Sequence, residues 1–139
     1  MNTAKLNIAI ALTVALGVVS VLADDDDAKT LPPASTKTGV TFATDIKPIF
    51  DASCVKCHGT NNPKPPRAGL ALDSLAGTLK GGKDGPVLKA GDSAHSDLVM
   101  SVAHIGDDSD QFMPKGRNAK PLTADQIGLI RAWIDQGAK

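Results

Sequence analysis

Both cysteines of the chain fall in one five-residue stretch, Cys54-Val55-Lys56-Cys57-His58. No other feature limits so strongly what the chain can fold around. Residues three apart on a helical turn share a face, so the two thiols can each add across a vinyl group of one porphyrin. The adjacent imidazole then lies under the same ring as an iron ligand. C-x-x-C-H is the spacing of c-type haem attachment. Other uses of the pattern fit less well. A thioredoxin-type redox pair wants a βαβ setting, and a zinc site needs further thiol or imidazole ligands. A structural domain without haem, carrying an oxidised Cys54–Cys57 pair, is the remaining alternative.

A buried porphyrin also answers a shortage in the composition. The large aromatic residues are Phe42, Phe50, Phe112 and Trp133, with no Tyr, and much of the apolar content lies in the first 23 residues. The side chains that follow make a thin core, and a large apolar ring can replace what is missing. Lys+Arg and Asp+Glu balance at 15 each, with pI near 6.8. Nothing in that balance asks for nucleic acid or an anionic membrane surface.

Residues 1–23 have Lys5 near the start, an apolar stretch from Leu6 to Leu22 and a small-residue exit at Ala23. These are the parts of a secretory signal, with cleavage expected after Ala23 and the mature protein in the periplasm. An uncleaved stretch of this length could instead anchor the protein in the membrane, facing the same space. Residues 24–40 carry Asp24 to Asp27, Pro32 and Pro33 without apolar periodicity, and read as a flexible leader. The folded domain is expected over 41–139.

Within it the pattern predicts a small, mainly helical fold. Thr44 can cap a first helix running to about Ser53, with Asp45 at the dipole's positive end, Pro48 early enough to be tolerated, and Ile46, Ile49 and Phe50 on one face. A second helix, from Ser93 or Ser96 to His104, carries the stripe Leu98, Val99, Val102 and Ile105. Thr123 and Gln126 form a capping box for the last helix, Leu122 and Ile127 occupy the staple positions, and Gly137 is the stop signal. Ile127, Ile130 and Ile134 mark its apolar side, with Leu129 and Trp133 beside it. Glycine and proline are dense between Gly59 and Gly91, so loops and turns are expected there.

A sixth iron ligand must come from outside the motif, and the candidates are Met113, Met100, His95 and His104. Met100 lies in the apolar stripe of the second helix, where core packing accounts for it. His104, at that helix's C-terminal end, reads as a surface residue stabilised by the dipole. His95 lies in a polar run facing water. Met113 precedes Pro114 in the loop Gln111 to Gly116, where no helical packing explains a large thioether. It is the preferred ligand, with Met100 in reserve.

The order of these pieces resembles the single-haem class I c-type cytochromes, and among them the planctomycete-type cytochrome c domains. The matching residues run from Asp45-Ile46-Lys47-Pro48-Ile49-Phe50 into the motif and Gly59. Gly69, Leu70 and Leu72 follow, then Gly81-Gly82, Gly91-Asp92, Ser96, Leu98, Met113-Pro114, and Leu122-Thr123 through Ile130, Trp133, Ile134 and Gly137-Ala138. One departure is Lys115, where members often carry a second proline. The resemblance implies an all-α class I fold, three to four helices and long loops around one covalently bound haem c. In it the first and last helices cross, and His58 and Met113 flank the iron.

With both axial positions filled by protein, iron has no open site for substrate, and outer-sphere transfer of single electrons is the expected function, not enzymatic turnover. Phe50, Leu70, Leu72, Leu98 and Phe112 are the expected apolar shell, and a methionine ligand in such a shell raises the reduction potential. Lys56, Lys64, Arg67, Lys115, Arg117 and Lys120 lie near the motif or the Met113 loop. Gathered at a haem edge, they would steer an acidic redox partner. Arg67 could instead meet a haem propionate. The alternative function is a haem-based gas sensor or haem enzyme module with an open or labile sixth position.

Overall fold

Phe42, Phe50 and Trp133 meet at the centre of the fold, and the chain is arranged to bring them there. In the computed structural model, which describes residues 30–139, Phe42 lies edge-on to Phe50 with ring centroids 6.0 Å apart. It also tilts against Trp133 at 5.7 Å. Phe50 and Trp133 are fully buried, so these three rings join the first helical segment to the last. The Trp133 indole N–H donates to the Lys139 carbonyl at 2.9 Å, and the Phe42 N–H donates to the same oxygen at 3.0 Å.

The opening segment starts earlier than the sequence suggested. Thr41, not Thr44, is the cap: its hydroxyl accepts from the Thr44 N–H, while the Asp45 carboxylate accepts from the Thr41 N–H. A widened turn over Phe42–Ile46 leads into α1, Lys47–Ser53. Pro48 sits just inside α1, where its missing N–H costs least. After Cys54 a single turn, α2, covers Val55–His58.

The glycine-rich middle is not all loop. Ser74 caps α3, Leu75–Lys80, by accepting from the Gly77 N–H at 3.1 Å. Gly77 breaks the sequence pattern of this helix, yet a Cβ there would stand 2.8 Å from the Ala71 carbonyl oxygen, so close packing requires it. The second expected helix divides into a short 3₁₀ turn, Ser93–His95, and α4, Asp97–Ala103. The last, α5, spans Ala124–Asp135 with the complete Thr123/Gln126 capping box, and the staple residues Leu122 and Ile127 are both buried. The described residues are helical with long connections and contain no strand.

The flexible leader expected over 24–40 does not extend through residues 31–40, which run along α5 as an ordered strap. The Ser35 N–H donates to the Gly128 carbonyl at 2.9 Å, Arg131 donates to the Pro32 carbonyl, and Gln136 bonds Lys37 and Val40 through both ends of its amide. Gly128 is what lets the strap in, because a Cβ there would meet the Pro33 oxygen at 2.7 Å. These partners are about 100 positions away in sequence, so local composition could not reveal them. The signal segment 1–23 and the acidic run 24–27 lie outside the described residues.

The strap is also tied to the opening turn by the Lys37–Asp45 ion pair. Hydrogen bonds from Lys37 and from the Thr41 backbone hold the Asp45 carboxyl down at about 2, from an ordinary 3.8. A folded-state value below the unfolded one adds stability above about pH 4 that is lost as pH falls towards 2. Urea midpoints measured across this range should fall with acidification, and Asp45→Asn should flatten part of that fall.

Candidate functional site

One helical turn presents the two thiols and the imidazole together. The Cys57 and His58 N–H groups both donate to the Cys54 carbonyl, at 3.0 and 2.9 Å. This closes the turn so that Cys54, Cys57 and His58 all line one cavity of about 380 Å³. That volume lies within the range of cofactor pockets. Both thiols are free and half-buried. Burial pushes the Cys54 thiol up to about 11.

His58 is oriented from behind by the segment after the motif. Its Nδ1 lies 3.2 Å from the Leu70 carbonyl oxygen, which can only accept, so Nδ1 carries the proton and Nε2 the lone pair. The Leu72 N–H donates back to the His58 carbonyl at 2.8 Å. Asp73 extends the clasp, accepting from the Thr60 N–H at 2.6 Å and the Thr60 hydroxyl at 2.7 Å. These two bonds also keep its carboxyl below the usual range. An imidazole protonated at Nδ1 and held by a carbonyl is the usual orienting arrangement for a metal-binding histidine.

Met113 lines the same cavity, whereas Met100 does not: it is half-buried on α4. His95 faces water beside Asp92, whose carboxylate lies 2.8 Å from its Nδ1. Of the apolar shell expected from sequence, Leu70, Leu72 and Leu98 line the cavity and are joined by Val87 and Val102. Phe50 and Phe112 do not. Phe50 belongs to the central ring cluster, and Phe112 stacks on His104. His104 is therefore not a free surface residue: it is half-buried, and its Nε2 contacts the Met113 carbonyl.

The expected basic set is brought together only in part. Arg67 and Lys115 line the cavity, and Lys83, which the sequence reading passed over, joins them; Lys56, Lys64, Arg117 and Lys120 do not line it. Two thiols, an imidazole, a thioether and an apolar wall fit a covalently bound porphyrin, and the charged lining is the three cations together with Asp84 and Asp97. The donor set is that of haem c.

Asn62 also escaped sequence reasoning. Its side-chain N–H₂ lies 2.8 Å from the Val55 carbonyl, 3.1 Å from that of Gly59 and 3.3 Å from that of Lys56, so it satisfies the carbonyls that end the motif turn. An asparagine four residues after the histidine, in a turn begun by Gly59, was the available signal. Asn62→Ala should cost about 1–2 kcal/mol in urea denaturation. Asn62→Asp should cost more, because a carboxylate cannot donate. Equal stability of the three proteins would show that the side chain does not hold the turn.

The planctomycete cytochrome C family model matches residues 54–116. The chain is similar to hydrazine synthase subunit alpha of Kuenenia stuttgartiensis, with 32% identity over 123 residues, covering 72% of this chain and 15% of that protein. It spans only that small share of the relative's length. A solved structure of Kuenenia stuttgartiensis hydrazine synthase matches with 29% identity and a TM-score of 0.45, over 71% of this chain and 16% of that one. The matched span contains the two thiols, His58, the Leu70–Leu72 clasp and the Met113 loop, so over residues 54–116 the chain is similar to the planctomycete cytochrome C family.

Proposed function

We propose that this is an exported mono-haem c-type cytochrome that passes single electrons between protein partners. The observation that carries the reading is the convergence of Cys54, Cys57, His58 and Met113 on one cavity. In this reading Cys54 and Cys57 form thioethers to one haem c. His58 Nε2, with the Leu70 carbonyl fixing its tautomer, and Met113 Sδ would hold the iron. Bound there, haem c supplies reversible one-electron chemistry. Met113 on the iron would leave no position for a substrate or gas, and its place in the cavity lining favours a carrier over an enzyme. Leu70, Leu72 and Leu98 exclude water, and the packing of Phe42 on Trp133 supports a class I fold closed around the ring.

Arg67, Lys83 and Lys115 are the charges available to neutralise the acidic edge of the group or to meet an acidic partner. Lys115 is also paired with Asp110 at 3.4 Å, and Lys83 with Asp84 at 4.0 Å. Export follows from the expected signal at residues 1–23. Among the described residues, no helix is long and apolar enough to cross a membrane. The similarity to a hydrazine synthase subunit supports a second reading, a haem enzyme or gas-binding module with a labile sixth position.

The optical spectrum separates the two. Protein exported from a host with haem-maturation machinery should give a low-spin c-type haemochrome with a weak methionine-to-iron charge-transfer band, and Met113→Ala should abolish that band. A wild-type spectrum that is high-spin or lacks the band would favour the enzyme or sensor.

A further inference from the structure

His104 occupies a backbone conformation that its residue type disfavours. It ends α4 in the left-handed region, at φ 56° and ψ 44°, where glycine is the residue of least cost. A residue held in this region persists when the surrounding contacts fix it there. Here the ring stacks on Phe112, with centroids 5.1 Å apart and planes within 6°. Its Nε2 lies 2.8 Å from the Met113 carbonyl oxygen; because that oxygen only accepts, Nε2–H is the donor. On the other side of the same residue, the Met113 N–H donates to the Ser101 carbonyl at 3.0 Å. Both polar groups of the Met113 backbone are therefore held by the end of α4, the helix whose Leu98 and Val102 line the cavity.

We infer that His104 is the positioning residue for Met113. It fixes the loop so that the thioether stays in the cavity, and the left-handed backbone at the end of α4 is what aims the imidazole at the Met113 carbonyl. The inference rests on the reading of Met113 as an axial donor. Ser101 supplies only a backbone carbonyl and is indifferent to side-chain replacement, so the side-chain contribution to the hold is that of His104.

Two variants of the haem-loaded protein test it. His104→Gly removes the donor but suits the left-handed backbone, so its urea midpoint should stay near wild type. His104→Gln keeps a side-chain N–H donor. In His104→Gly, carbon monoxide should bind the reduced protein about two- to ten-fold faster, the change that one hydrogen bond is worth. The Met113 amide should lose hydrogen-exchange protection by a similar factor, and the charge-transfer band should weaken. His104→Gln should recover part of all three. Wild-type carbon monoxide kinetics and Met113 exchange in His104→Gly would overturn the role of His104 alone, as would changes that track a lowered urea midpoint in both variants. Absence of the band from the wild-type protein would overturn the ligand reading, and this inference with it.

Discussion

The clasp between His58 and the Leu70–Leu72 segment is the contact on which the rest of the site depends. One residue is held at both its ring and its backbone, by the Leu70 carbonyl at 3.2 Å and the Leu72 N–H at 2.8 Å. The ring bond selects the tautomer that leaves Nε2 with a lone pair. The backbone bond brings Leu72, which is buried, against the motif turn, so the apolar wall and the imidazole are set by the same segment. Asp73 and Asn62 then fasten the turn between them from either end. Without these ties a four-residue helix such as α2 has little stability of its own.

The Met113 part of the cavity lining is built on another principle. Met113 lies in a loop, and loops position side chains well only when their backbone groups are tied to rigid elements. Here α4 provides the ties through Ser101 and His104. α4 is in turn backed by α5 and by the 3₁₀ turn over Ser93–His95, where the Ser93 N–H and hydroxyl both donate to the Asp135 carboxylate, at 2.8 and 3.0 Å. A chain of contacts thus runs from the strap at 31–40, through α5 and α4, to the Met113 loop. Small elements gain order here from what they pack against, as expected for a domain with few large side chains.

Much of this was legible in the sequence because it was local. The C-x-x-C-H spacing, the Thr123/Gln126 box and the isolated Met113-Pro114 pair each carry their meaning within a few residues, and the structure brings the thiols, His58 and Met113 to one cavity. What was not legible depends on distant partners. The strap is ordered by hydrogen bonds to Gly128, Arg131 and Gln136, and a Pro- and Thr-containing segment without periodicity gives no hint of them. α3 was hidden by Gly77, which is present for close packing against Ala71. His104 reads as a surface residue until the left-handed turn at the end of α4 is seen to direct it at Met113. Phe50 and Phe112 were assigned to the cavity by type and proximity alone, whereas Phe50 is needed by the central ring cluster and Phe112 by the imidazole of His104.

The account turns on covalent attachment at Cys54 and Cys57, and the mass of the intact exported protein tests it most directly. Under denaturing conditions the chain should carry the added mass of one haem, and the double variant Cys54→Ser with Cys57→Ser should not. A wild-type chain at the mass of the bare polypeptide, with its two thiols either free or joined to each other, would contradict the account.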